Sequence, residues 1–336
     1  MDKGENMKII STYNSITQNG KLKQKTGQYA FVIFRLLFFI GMIYITLYPI
    51  LIMVSRAFRT PEDMLNPTVI WLPQHFTIKN FKIIAEIIDY KSTAILTARI
   101  AIISTLFTMV SCSMTGYALG RYKMRGKVIL MTFAILTIVV PLQSYLIPIF
   151  FKFRFFDFFG VGKLIGLFTG NDVVIRLSES EISYYILAIF GMGIRSGLFI
   201  LLFYQNFKGM PKELEDAARI DGCNEFKVFT RVMLPNASAP FLVTLILSLV
   251  WYWNDTVYDT ILMRKTQLLA VKVADLKALV NASFMGLQKF GIEKNGVSET
   301  VLYFAAAILF IIPPLILYLI VQRFFMQSVE RSGIVG

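Results

Sequence analysis

Between Glu213 and Pro235 the chain reads ELEDAARIDGCNEFKVFTRVMLP, a polar segment between two apolar runs, Tyr184–Tyr204 and Phe241–Tyr252. Taken with the preceding Lys208 and Lys212, its charges cancel: these two with Arg219, Lys227 and Arg231 balance Glu213, Glu215, Asp216, Asp221 and Glu225. Balanced charge beside small residues suits contact with another protein, whereas a loop that only ends a membrane span needs positive charge and little else. A second constellation is Arg195, inside one apolar run, with Trp251, Tyr252, Trp253, Asn254 and Asp255 at the end of another. Aromatic faces, an amide and a carboxylate together can hold a polar ring-shaped solute. Gln143, in a further apolar run, adds an amide.

Catalysis has no comparable footing. No Ser-His-Asp set, carboxylate pair or metal cluster is recognisable, so no catalytic residue and no metal ligand is expected. The sole histidine, His75, has no ligand residues beside it and reads as a surface or interfacial side chain. Cys112 falls in an apolar run and Cys223 in the polar segment, which argues against an intramolecular disulfide. The stretch GRYKMRGK has five residues between Gly120 and Gly126 where a phosphate loop has four, and Val128 stands where Ser or Thr is required. It is a basic turn. No cofactor is expected in this chain, and any energy from ATP must come from another subunit.

The elements that position these residues are membrane helices. The 336 residues are 56% hydrophobic and 16% charged. Crossing about 30 Å of hydrocarbon takes about 20 apolar residues. Leu36–Val54, Ile100–Leu119, Val128–Phe151 and Val301–Val321 qualify; Tyr184–Tyr204 carries Arg195, and Ala239–Trp253 is short unless it continues to Met263. The expectation is an all-α integral membrane protein with six transmembrane helices. Lys3, Lys8, Lys21, Lys23 and Lys25 before the first span, and Arg121, Lys123, Arg125 and Lys127 after the second, place both regions in the cytoplasm. Both termini are then cytoplasmic. Much of the net charge of +13 is topological and not a nucleic-acid footprint. The polar stretch to Gln28 reads as a mobile tail without a signal peptide, so the first span acts as an uncleaved anchor.

Within this frame, the second span carries Ser104, Thr105, Thr108, Ser111, Ser113, Thr115 and Gly116, which suits close packing in the bundle interior. Pro49, Pro141, Pro148 and Pro313-Pro314 interrupt three spans, as packing kinks or as points of flexure. On the outer side, Thr77 is placed to cap a helix starting near Lys79. Arg195 inside a span costs from about 3 to over 10 kcal/mol unless it faces the interior or water. It is a solute contact, a gate, or a structural partner of a carbonyl or of Asp255. The aromatic cluster likewise reads as a solute surface or as a belt at the outer interface.

The polar segment itself predicts two short helices. Pro211 suits a first turn, and Glu213, Glu215 and Asp216 favour a helix N-terminus. Ala217 and Ala218 offer little bulk, so another surface can come close. Gly222 ends the first helix in the left-handed region. Phe226, Phe229 and Met233 share a face of the second, and Leu234-Pro235 stop it.

The sequence of Asp216-Ala217-Ala218, then Gly222, then Leu234-Pro235 resembles the EAA loop of ABC importer permeases. WLPQHFTIKNF, GYALGRYKMRGK, IPIF and WNDTVYDT extend the resemblance over nearly the whole chain, towards the carbohydrate-uptake branch with maltose-type inner-membrane permeases. Departures are Asp216, where glutamate is common, and Ser328 and Val335, where relatives often have glycine and lysine. The resemblance implies a permease subunit that forms the translocation path for a sugar or oligosaccharide in the bacterial plasma (inner) membrane. Glu215, Asp216, Ala217, Ala218, Asp221, Gly222, Leu234 and Pro235 would couple it to a separate ATPase. Implied partners are a second homologous permease, two ATP-binding cassette subunits that bind ATP and Mg, an extracellular solute-binding protein and membrane lipid. Residues 1–28 and 326–336 would be cytoplasmic tails and 29–325 the permease domain, with the coupling loop at 205–238. Arg195, Gln143, Trp251, Trp253, Asn254 and Asp255 are the candidates for the solute path. Alternatives are a permease for another polar nutrient such as a peptide, or an ion-gradient carrier, whose inverted repeats are not visible.

Overall fold

The computed structural model describes residues 3–157, 160–161, 175–283 and 296–333, and it is predominantly α-helical. Helix α1 spans Lys3–Ala57. The polar stretch to Gln28, expected as a tail, is therefore helical from Lys3. No proline precedes Pro49, so the hydrogen bonding of the apolar part propagates back along the chain.

Helices α2 (Pro61–Leu65) and α3 (Lys79–Ile87) form a compact segment after α1. It is bolted to the end of α1 by buried polar side chains. Asn80 donates to the carbonyls of Ala57 and Arg59, and Arg59 donates to those of Val69 (2.7 Å) and Ile70 (2.6 Å). The Thr77 hydroxyl accepts the Lys79 amide at 3.1 Å, but the N-cap residue of α3 is Ile78 and not Thr77. His75 is tied down too: its amide and its ring Nδ1 both reach the buried Asp63 carboxylate at 2.8 Å.

Helix α4 (Tyr90–Arg121) is the centre of the molecule. Its hydroxyl groups bond across to neighbours, as expected of a buried span. Thr105 reaches Ser248 (3.1 Å), Thr108 the Tyr252 hydroxyl (3.2 Å) and Ser111 the Ala188 carbonyl (2.7 Å).

The runs expected as third and fourth spans are not continuous helices. The third divides into α5 (Lys127–Val139), a turn at Leu142–Ser144 and α6 (Leu146–Arg154). Pro141 forces the break, because it pushes Val140 into extended backbone (φ −72°, ψ 123°). The fourth divides into α7 (Ile182–Ile189) and α8 (Ser196–Gly209). Here Gly191 and Arg195 take left-handed backbone, at φ 65° and 56°.

Next come α9 (Glu213–Ile220), α10 (Glu225–Asn236) and α11 (Ser238–Trp253). The last two meet at a bend of 77°. Asp255 then starts α12 (Val257–Leu262) by accepting three backbone amides, from Val257, Tyr258 and Asp259 at 3.2 Å each. Helices α13 (Leu269–Ala274), α14 (Leu276–Ala282) and α15 (Gly296–Gly333) complete the fold. Among the described residues, three helices are long and apolar enough to cross a membrane, or four if the bent pair counts as one span. They are Phe31–Ala57, Tyr90–Arg121 and Val297–Arg323.

Helix α4 crosses α8 closely at Gly116. A Cβ on Gly116 would lie 2.5 Å from Phe203 Cβ and 2.9 Å from the Tyr204 amide nitrogen. Gly116→Val should therefore destabilise the purified protein by about 1–3 kcal/mol, as overpacking does. Gly41→Ala, whose Cβ meets nothing within 4 Å, should leave the unfolding midpoint in detergent unchanged or slightly raised. The α2–α3 segment should respond to pH. Hydrogen bonding and charge from Asp63 raise the His75 pKa above its usual 6.5. The pair's contribution is thus full below about pH 6.5 and lost as pH rises through the raised value. Hydrogen exchange across Pro61–Gln74 should be slower at acidic than at alkaline pH, after correction for intrinsic rates.

Candidate functional site

The loop helices are held from beneath by one arginine. Arg121, the last residue of α4, places its guanidinium under α9 and is almost fully buried, as is its partner Glu215. Nε meets Glu215 Oε1 at 2.9 Å, and the same oxygen accepts the Tyr117 hydroxyl at 3.0 Å. The remaining guanidinium nitrogens donate to the carbonyls of Phe207 (3.3 Å), Met210 (2.9 Å) and Pro211 (3.2 Å). A cation at the end of α8 also complements the negative pole of that helix. Three segments distant in sequence thus share one side chain.

Above this anchor, Gly222 adopts φ 80° and turns the chain, as its position predicts. Asn224 caps α10 by accepting the Lys227 amide at 2.9 Å. Arg219 bridges the two helices, with Asp216 at 3.0 Å and Glu225 at 2.9 Å. Hydrogen bonds from Arg219 and then Tyr122 hold the Glu225 carboxyl below its usual pKa, against the opposing effect of desolvation. The clasp stays charged at neutral pH.

The sequence-predicted loop residues divide between two faces. Glu215 and Ala218 turn inward and are buried; Asp216, Ala217, Asp221, Gly222 and Pro235 are exposed, and Leu234 is half-buried. The second helix departs from the expected pattern. Phe229 and Met233 are buried, but Phe226 is 67% exposed. Val228–Met233 is a π-helical turn, which rewinds the helix so that Val228, Phe229 and Met233 point into the core. Two outward apolar side chains escaped the sequence reading: Ile220, 87% exposed, and Phe226. Their neighbours Leu214 and Ala217 continue the rim.

The solute candidates also separate. The breaks of the third and fourth runs face each other across a cavity of about 470 Å³. Gln143 and Arg195 both line it, together with Tyr145 and Tyr258. An adjoining cavity of about 610 Å³, mostly apolar, shares Thr137, Val140, Tyr145 and Arg195. The Arg195 guanidinium stacks over the Trp251 ring at 5.4 Å, and Trp251 in turn meets Phe199. Its partner is thus an aromatic face and not Asp255. Asp255 is buried and accepts the Tyr184 hydroxyl at 2.7 Å besides its amides. Trp253 is buried elsewhere, donating to the Phe310 carbonyl of α15 at 3.1 Å. Asn254 is exposed and bonds back to Val250. Of the six candidates, Arg195 and Gln143 share a cavity, Trp251 joins them through stacking, and the other three do not.

Comparison with known proteins agrees with this architecture. Residues 112–331 match the family model described as binding-protein-dependent transport system inner membrane component. The protein named "Probable starch degradation products transport system permease protein AmyC" of Thermoanaerobacterium thermosulfurigenes is 27% identical, over 68% of this chain and 76% of its own length. An arabinooligosaccharides transport system permease protein of Halalkalibacterium halodurans is 24% identical, over 87% and 92%. In fold, the chain is similar to a chain of a bacterial ABC transporter involved in the import of the acidic polysaccharide alginate. That match has a TM-score of 0.65 and 20% identity, and covers 88% of this chain and 96% of the other. The family model covers the last turns of α4, both broken runs, the anchored loop and nearly all of α15. The chain is a member of the family of binding-protein-dependent transport system inner membrane components, the permease subunits of ABC transporters.

Proposed function

We propose that this permease forms the translocation path of an ATP-driven importer for a sugar or oligosaccharide, and that Glu213–Pro235 is its EAA-type coupling loop. The observation that carries the proposal is the loop's division of labour. Glu215 and Ala218 bind it to the chain's own body, while Ile220, Phe226, Ala217 and Asp221 are left facing outward. An ATPase subunit docked on that rim would push on a helix pair already fixed to α4 and α8. ATP and Mg belong to that partner. The membrane path has six crossings, two of them made by the broken pairs α5–α6 and α7–α8. Basic residues at Arg121–Lys127 put the loop and both termini in the cytoplasm. Residues 29–325 form the permease domain, flanked by tails at 1–28 and 326–336, with the loop at 205–238. A second, homologous permease, two ATPase subunits and an extracellular solute-binding protein complete the assembly.

The carbohydrate assignment rests on the named relatives and on the cavity chemistry. Arg195, Gln143, Tyr145 and Tyr258 around a cavity of about 470 Å³ offer several hydrogen-bonding groups and aromatic edges to a hydroxyl-rich solute. The glycine-rich backbone beside Arg195 is broken where it lines this space, which is where membrane proteins tolerate it.

Two measurements test the reading. Ile220→Glu with Phe226→Glu should cut recovery of the ATPase subunit with the tagged permease by about tenfold or more, as loss of interface hot spots does. The permease itself should still elute as a single species. Undiminished ATPase recovery and ATP-driven uptake would sink the coupling role. Arg195→Gln should raise the KM for uptake of labelled maltooligosaccharides or arabinooligosaccharides into proteoliposomes, or lower kcat/KM, by about tenfold, the loss expected for a charged hydrogen bond. ATPase association should not change. Uptake kinetics equal to wild type would remove Arg195 from the path.

A further inference from the structure

Beside the anchored loop lies a separate concavity of about 800 Å³. Its only two acidic linings are already engaged: Glu215 by Arg121 and Asp216 by Arg219. Lys123, Arg125, Lys127, Lys208 and Lys212 converge on the same space. None of these five has a carboxylate within ion-pair distance among the described residues. Two of them share an aromatic partner: the ammonium groups of Lys127 and Lys208 lie over the Tyr204 ring, at 5.6 and 5.5 Å from its centre. Contact with a neutral ring positions each cation without neutralising it.

Beyond Lys127 the chain continues as exposed apolar helix, on which Ile129 and Phe133 share a face. Lys127 is the first residue of α5, and Val128, Ile129, Leu130 and Phe133 follow it, all at least half exposed. We propose that this concavity is a binding site for an anionic phospholipid. The phosphate occupies the space between Lys127, Lys208 and Arg125, and the acyl chains lie along Val128, Ile129 and Phe133. A soluble phosphate ester would use the cations alone, whereas a lipid uses them together with the apolar surface of α5 directly beside them. Orientation in the membrane accounts for positive charge near a span, but not for five cations gathered on one concavity. The proposal needs only the membrane location that family membership gives, so it stands or falls apart from the coupling and sugar assignments.

The test uses the full chain, purified in detergent and equilibrated with equal amounts of phosphatidylglycerol and phosphatidylcholine of matched acyl chains, with bound lipid read by native mass spectrometry. Wild type should retain phosphatidylglycerol in preference. Lys127→Gln with Lys208→Gln should reduce that preference by roughly fivefold for each lysine removed, the increment expected per basic residue at an anionic surface. Lys79→Gln with Lys82→Gln, exposed on α3, should leave it unchanged. Millimolar inorganic phosphate or glycerophosphoglycerol should fail to displace the lipid. If either displaces it, the site belongs to soluble phosphate esters and the lipid assignment is wrong. No preference in wild type, full preference in the double variant, or equal loss in the α3 variant would each overturn the proposal. Should the double variant fail to fold, Lys123→Gln with Arg125→Gln, on the exposed turn, carries the same expectation.

Discussion

One buried guanidinium constrains the polar end of this molecule. Arg121 is the junction at which the central helix α4, the end of α8 and the loop helix α9 meet. An isolated buried charge is costly, and a buried ion pair repays that cost only when the remaining donors are satisfied. Here the carboxylate takes one nitrogen and three carbonyls take the others. Those carbonyls belong to the last turn of α8 and the residues after it, groups a helix end leaves without internal partners. The same side chain therefore closes a helix, fixes a loop and completes an ion pair. Removing either charge would strand the other in the interior.

Helix breaks are the second constraint. A membrane helix that stops midway leaves amide and carbonyl groups that lipid cannot satisfy. The two breaks lie opposite one another, at Pro141 and at Gly191–Arg195, with shared cavities between them. Small residues keep the surrounding packing close: Gly193 sits beneath the Tyr252 hydroxyl, and Gly197 against Thr137 of α5. The irregular backbone of these two runs thus lines cavities within the protein, where polar side chains such as Gln143 and Arg195 face it.

Much of this was legible in the sequence. The apolar runs marked the helices, the hydroxyl-rich run marked the buried α4, and Gly222 marked the turn. What sequence did not disclose was direction. Glu215 reads as one of several loop acids, yet it alone finds an arginine nearly a hundred positions away in the chain. Phe226 and Phe229 read as one face because the 3.6-residue period was assumed, and the π turn at Val228–Met233 breaks that period. Arg195 had a plausible carboxylate in Asp255, but Asp255 was committed to starting α12, which left the Trp251 ring. Pro141 was visible as an interruption, though its choice of a full break over a kink depended on the turn that follows it.

The bend between α10 and α11 has a mechanical consequence. Twelve and sixteen residues on either side correspond to arms of about 18 and 24 Å at the usual rise per residue. Set at 77°, they make a bell crank with its elbow at the buried Ala237. A rotation of about 10° about that elbow carries the far end of the longer arm by about 4 Å, given those arm lengths. That end holds Tyr252, whose hydroxyl bonds Thr108 at 3.2 Å. A small tilt of the surface arm is therefore enough to change which hydroxyl Tyr252 meets in the middle of the bundle.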